Sequence, residues 1–233
     1  MIKVYILDAL RCILGPLKRF WKRNRCLSKG QNVKIQYGAE VVNTTFEKNG
    51  FVAHHAQMND VTVGNFTSIG RYTKIRCADI GKYCSISWDV TIGAVEHPLT
   101  KLSTAALTYK AEYHLILKDE NYPQKRTVIG NDVWIGCNAV IRSGIIVGDG
   151  AVIGGGSVCV KDIPPYSIVA GNPATIIRMR VEPDLIERIV MLHWWDWSSE
   201  DLKANLDLLS ADLTADVVAK LETYKTKQSF KEN

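Results

Sequence analysis

The chain carries five histidines, His54, His55, His97, His114 and His193, and six cysteines. Of these, His97 has the neighbours that suit chemistry. Pro98 follows it, and a residue before proline is held toward extended backbone, which would project the imidazole out of a turn. An imidazole titrates near neutrality and can take the proton of a hydroxyl, itself a weak nucleophile at that pH, as the hydroxyl attacks. A lone histidine is more often an ordinary surface or core residue, so its place in the chain has to decide. His97 stands at the mouth of residues 98–127, a stretch about twice the roughly fifteen residues beyond which loops without regular structure are uncommon and often functional.

The other reactive side chains offer less. Cys84 and Cys137 are rival nucleophiles, but both fall on positions of a repeat that wants small apolar residues. Cys12, Cys26, Cys77 and Cys159 complete the set; there is no CxxC pair, and the pattern reads as reduced and structural, as in a cytoplasmic protein. A catalytic zinc would need three converging imidazoles, and the histidine spacing supplies no such set, so no metal is expected. His54 and His55, adjacent in FVAHHAQMND, read as exposed surface, with contact to an acceptor as the alternative.

What positions His97 is a period of six. In IGNDVWIGCNAVIRSGIIVGDGAVIGGGSV, residues 129–158, an aliphatic residue returns at Ile129, Ile135, Ile141, Val147 and Ile153, with Gly130, Gly136, Gly148 and Gly154 directly after four of them. A helix repeats near 3.6 residues and a half-buried strand every two, so six fits short strands broken by turns. The glycines are expected to take positive φ at those turns. Two residues before the aliphatics stand Val133, Ala139, Ile145 and Ala151, and Ser157 shares their phase, all suited to a crowded inward position. The pattern also occupies Val63, Ile69, Ile75, Ile80, Ile86 and Ile92, with Thr67, Thr73, Ala78, Cys84 and Val90 inward. One residue is missing between Ile75 and Ile80, which asks for a tighter corner. Units that bury a face only by stacking on the next make a solenoid. A mostly β, parallel coil is therefore expected over 33–180, with 98–127 as an excursion loop.

These repeats, with EHPLTKLST (96–104), NDVWIG (131–136), KDIPPYSIVAGNPATIIRMR (161–180) and HWWDW (193–197), resemble the hexapeptide-repeat acyltransferases, whose fold is a left-handed parallel β-helix. Over about 61–209 the chain is similar to the branch holding xenobiotic (chloramphenicol and streptogramin) acetyltransferases and surface-polysaccharide O-acetyltransferases. The resemblance implies acetyl-CoA as co-substrate, His97 as general base on a ternary complex without an acyl-enzyme, and a homotrimer with active sites between subunits. By alignment with sugar acetyltransferases of the same fold, it assigns coenzyme A contacts to Cys137, Gly155, Val160, Lys161, Thr175 and Arg178. Lys161 and Arg178 are the two that can meet phosphates. Thr175 departs from the basic residue several sugar acetyltransferases carry there, and the solenoid alone explains Gly155 and Val160. Acceptor walls would come from the loop through Ser103, Thr104 and Tyr109, polar enough for a sugar and aromatic enough for a drug. The expected activity is acetyl transfer to a hydroxyl of a sugar or surface-glycan precursor. The alternatives are an antibiotic-modifying acetyltransferase, the metal-dependent hydratase related to carbonic anhydrase that shares this coil, and a non-catalytic scaffold.

Residues 1–25 hold seven basic side chains and one acidic one, more than the whole-chain excess of +5. A helix to about Leu14 and a second from Pro16 would set Leu17, Phe20 and Trp21 against Lys18, Arg19, Lys22 and Arg23. This basic amphipathic segment, 1–32, reads as a cap over the open end of the coil or as a peripheral contact with an anionic membrane. It is too short and too charged to span a bilayer and lacks a secretory cleavage site. The rest of the chain has no basic stripe, so nucleic acid is not an expected partner. The expected location is cytoplasmic, at the inner membrane face if the second reading of 1–25 holds. Residues 181–233 turn helical: Pro183 opens one helix, Ser198 and Asp201 cap another bearing Leu202, Leu206 and Leu209, and a third runs from about Leu213 to Tyr224. Trp194, Trp195 and Trp197 read as packing anchors.

Overall fold

The computed structural model describes residues 24–120 and 124–229. The helices expected through Leu14 and from Pro16 lie outside them. The boundary expected at residue 32 moves earlier, because Asn24–Lys29 is already a strand, paired in parallel with Glu40–Phe46. That pairing occupies the backbone edge that the first full lap would otherwise present to solvent.

The chain winds as a parallel solenoid of triangular section. One face is the ladder of Lys34–Ile35, Phe51–Val52, Ser68–Ile69, Ser85–Ile86, Trp134–Ile135, Val152–Ile153 and Ser167–Gly171. The longer strands Glu40–Phe46, Gln57–Val63 and Lys74–Ile80 each serve both remaining faces. In the last of them, Lys74 and Ile75 pair with Thr91 and Ile92, whereas Ala78, Asp79 and Ile80 pair with Thr127, Val128 and Ile129.

The six-residue period is the core. Ile69, Ile135, Ile141 and Ile153 are wholly buried, as are the inward Ala78, Cys84, Val90, Ala139, Ala151 and Ser157, and all but the serine join one hydrophobic cluster. Each fully buried aliphatic side chain contributes about 1.5–3 kcal/mol over its exposed state, so the stacked laps supply their own driving force. Where the inward residue is threonine, its hydroxyl closes the corner. Thr67 Oγ1 donates to the Gly81 carbonyl at 2.7 Å and accepts from the Cys84 N–H at 3.0 Å.

Two expectations about the corners are corrected. Gly130, Gly136, Gly148 and Gly154 do not have positive φ; the left-handed residue comes two positions later, as at Asp132, Asn138, Gly150 and Gly156. The glycines are required by close approach instead. A Cβ on Gly136 would stand 2.5 Å from Gly155 N on the next lap, and one on Gly81 would stand 2.5 Å from the Gly130 carbonyl oxygen. The short step before Ile80 is also no isolated irregularity. Cys77 is left-handed inside the continuous strand Lys74–Ile80, and Asn43 and Asp60 repeat this in the two laps before. The early laps are 17 residues long and the later ones 18.

The coil ends where Ala174–Met179 turns back antiparallel on Ser167–Gly171. Beyond it lie helices α1 (Pro183–Leu192), α2 (Ser199–Ala204), α3 (Leu206–Leu209) and α4 (Ala215–Ser229). Ser198 caps α2 by accepting the Asp201 N–H at 3.1 Å. Leu202, Leu206 and Leu209 do not share one helix, because the chain breaks at the buried Asn205, whose side-chain amide donates to the Asp201 carbonyl at 2.8 Å. Ile189, Leu192, Val217, Val218 and Leu221 form a second cluster with Tyr166 of the coil. Trp194 and Trp197 pack against it, the first meeting Tyr83 at 4.8 Å between ring centres and the second Tyr224 at 5.7 Å, and Trp195 beside them is 4% exposed. The ion pair of Lys82 with Asp196, at 2.7 Å, ties the same junction.

Candidate active site

The excursion loop leaves the coil after Thr91–Ala94 and returns at Thr127–Ile129. Its return is clamped by Arg126, which meets Asp79 through Nε at 2.7 Å and Nη2 at 2.8 Å and reaches Asp60 at 3.1 Å. Such a two-pronged guanidinium–carboxylate pair fixes orientation as well as attracting. The Arg126 guanidinium, and after it the Thr62 hydroxyl, hold the Asp79 carboxyl below the ordinary carboxylate range against the opposing effect of burial. Within the loop Lys101 pairs with Glu120, and Lys110 with Asp119 at 2.8 Å. Arg142, on the next lap, pairs with Glu96 at 2.9 Å and so pins the residue before His97.

His97 is exposed, and its Nδ1 lies 2.7 Å from the Thr104 carbonyl oxygen. A carbonyl can only accept, so Nδ1 carries the proton and the basic lone pair belongs to Nε2. The Tyr109 hydroxyl is 3.0 Å from the same Nδ1, and the two rings meet edge to face at 5.9 Å. Tyr109 is buried, at 8% exposure, and Ser103 accepts the Ala105 N–H at 3.2 Å. The loop residues expected to wall the acceptor thus include two, Thr104 and Tyr109, that hold the imidazole. Sequence reasoning missed Glu96, Arg142, Asp79 and Arg126 as its supports, since these pairs join laps and leave no local spacing signal.

Of the six residues aligned with coenzyme A contacts, Cys137, Gly155, Val160 and Lys161 lie on neighbouring laps, and Thr175 and Arg178 on the strand that turns back at the end of the coil. Cys137 and Gly155 are adjacent, for the Gly156 N–H donates to the Cys137 carbonyl at 2.8 Å. A Cβ on Gly156 would meet nothing within 4 Å, so this edge is bare backbone open to a ligand. The half-buried Val160 and the exposed Lys161 follow Val158–Cys159, two rungs along the ladder from the strand that launches His97. Thr175 and Arg178 are exposed on Ala174–Met179, where Arg178 donates to the Met179 carbonyl at 3.0 Å. Lys161 and Arg178, both exposed, are the two cations among the six, and such side chains suit phosphate groups.

Of the two rival nucleophiles, Cys84 is disfavoured by its surroundings. Cys84 is wholly buried and burial pushes its thiol up to about 12, leaving almost no thiolate near neutrality. Among the described residues, no group of three histidine, cysteine or carboxylate side chains is arranged to hold a metal ion.

Residues 126–161 match the model of the bacterial transferase hexapeptide (six repeats) family. The chain is 42% identical to a chloramphenicol acetyltransferase of Agrobacterium fabrum over 137 residues, 57% of this chain and 66% of that one, so it spans just under two thirds of that relative's length. It is 39% identical to a probable macrolide acetyltransferase of Lysinibacillus sphaericus over 138 residues, 57% of this chain and 77% of the relative. It is 35% identical to the galactoside O-acetyltransferase of Escherichia coli K12 over 114 residues, 49% of this chain and 48% of the relative. With its repeats wound as a parallel solenoid and matched across most of an acetyltransferase's length, the chain belongs to the hexapeptide-repeat acyltransferase family.

Proposed function

We propose that the chain transfers an acetyl group from acetyl-CoA to an acceptor hydroxyl, with His97 as the general base. His97 Nε2 takes the hydroxyl proton as the oxygen bonds to the thioester carbonyl. Collapse of the tetrahedral intermediate breaks the C–S bond, and the imidazolium returns the proton to the departing sulfur. The Thr104 carbonyl stabilises that imidazolium and fixes the tautomer that makes Nε2 basic. The hydrogen bond from Nδ1 to Thr104, at 2.7 Å, is the observation that carries this reading.

In the same reading acetyl-CoA lies along the edge of Cys137 and Gly155, with Lys161 and Arg178 toward its phosphates, and Val160 and Thr175 against its arm. The protein works as a homotrimer with each site between two subunits. Leu102 and Leu117, 108% and 105% exposed on the loop, and Val128 and Ile146, exposed as neighbours on the coil, supply apolar surface for such contacts. No described helix is long and apolar enough to cross a membrane, and the proposed setting is the cytoplasm. The segment expected to touch a membrane, 1–25, lies almost wholly outside the described residues.

The acceptor is proposed to be a sugar or surface-glycan precursor, supported by the polar Ser103–Thr104 surface and the galactoside relative. Higher identity to the chloramphenicol and macrolide relatives supports a second reading, an antibiotic acceptor. Release of free thiol from acetyl-CoA, followed with galactosides, glycan fragments, chloramphenicol and a streptogramin, tests both. Turnover on sugars supports the first, turnover confined to the antibiotics replaces it with the second, and turnover on none contradicts both.

A further inference from the structure

Proposed acetyl transfer leaves the acceptor's charge undefined, and the surface leading to His97 bears on it. A groove of about 350 Å³ crosses the early laps, lined among others by Gln57, Asn59, Lys74, Arg76 and Val95. A second cleft of about 220 Å³ is lined by Arg76, Val95, Glu96, Tyr109 and Lys125 among others. Arg76 and Val95 line both, and the second is also lined by Tyr109, whose hydroxyl is 3.0 Å from His97 Nδ1.

Charge along this path is uneven. Glu96, Lys110 and Glu120 in the cleft each have an opposite partner, in Arg142, Asp119 and Lys101. Lys74, Arg76 and Lys125 are exposed and have no acidic partner among the described residues. The one further acid on the groove, Glu40, lies two laps from Lys74 in the register Glu40, Gln57, Lys74. Two interstrand spacings put it roughly 9–10 Å away, at the end far from His97. The backbone of Arg76 is also fixed in place. A Cβ on Gly93 would stand 2.0 Å from the Arg76 carbonyl oxygen, and Gly93 holds φ +73, so the strand that launches the loop is seated on the Arg76 backbone.

An exposed guanidinium lining a cleft without a carboxylate partner is a two-pronged donor for a planar or tetrahedral anion. We propose that Arg76, with Lys74 and Lys125 beside it, is an anion subsite for the acceptor, which therefore carries a carboxylate or a phosphate near the hydroxyl that is acetylated. This rests on the acetyl-transfer reading for the identity of the ligand, but not for the existence of the subsite.

Calorimetric binding of glucuronate and of glucose 1-phosphate, against methyl glucoside as neutral control, tests it on the full chain in saturating coenzyme A, which fills the coenzyme's own phosphate contacts. At least one anion should bind about tenfold or more tightly than the neutral sugar. Arg76→Ala should abolish that preference with coenzyme A affinity unchanged, and the arm that responds distinguishes carboxylate from phosphate. Arg76→Gln and a rise in salt, which should weaken only the anion, serve if the alanine variant is unstable. Binding of neither anion, or binding unaltered by loss of the guanidinium, overturns the proposal. His97→Ala should keep the anion preference while losing turnover, so failure of the acetyl-transfer reading would show separately.

Discussion

His97 and Thr104 are seven residues apart and joined by one hydrogen bond, Nδ1 to carbonyl, at 2.7 Å. The imidazole is therefore oriented by the backbone of the excursion loop, and the loop by the coil to which Arg126 clamps it. In the proposed reaction, proton transfer at Nε2 depends on how well that clamp holds.

The clamp gives a pH dependence. Asp79 is held below the ordinary carboxylate range in the folded chain, chiefly by Arg126, so its contribution to stability is fully present above the unfolded value of about 3.9 and is lost as pH falls through the lowered native one. Hydrogen exchange in the loop should accelerate below about pH 4, before the coil amides follow. At neutral pH Asp79→Asn should cost only about 0.2–1 kcal/mol, since the pair is partly exposed, and should mimic the acid effect.

Two glycines separate close approach from backbone preference. Gly136→Ala drives a Cβ into Gly155 N at 2.5 Å and should destabilise by about 2–4 kcal/mol, read as a lowered denaturation midpoint. Gly156→Ala meets open space and bears only the left-handed φ of +71, costing about 1–2 kcal/mol. Equal effects would count against the interlap contact as the reason for glycine at Gly136.

Much of the coil was legible because its signal is local and repeats. The aliphatic and small inward positions are the buried ones, and the break in the period located the loop and His97. The φ of the glycines was misread because contact between laps is invisible in a linear spacing; the same pattern GxN or GxD hides which residue turns and which is crowded. The supports of His97 stayed hidden for the same reason, since Glu96–Arg142 and Asp79–Arg126 span 46 and 47 residues respectively. Ser198 was legible as a cap, but the break at Asn205 needed the tertiary setting of that buried amide.

Cysteine chemistry is separable by labelling. With its thiol pushed up to about 12 by burial, Cys84 should resist alkylation of the native chain at pH 8 and react only on unfolding, followed by peptide mass mapping. Cys84→Ala should retain turnover after correction for any loss of folded protein.

The helical extension is held partly by its caps. Ser198→Ala removes the acceptor for the Asp201 N–H and should cost about 1 kcal/mol of stability without altering the rate per folded molecule. Paired thermal melts and active-site titrations check both halves of that statement.

Steady-state acetyl transfer by His97→Ala, measured as thiol release with an accepted hydroxyl substrate, tests the central claim. The turnover number should fall about 10²–10⁴-fold while circular dichroism and coenzyme A affinity stay those of the parent chain. A folded, coenzyme-binding variant that turns over at close to the parent rate would contradict it.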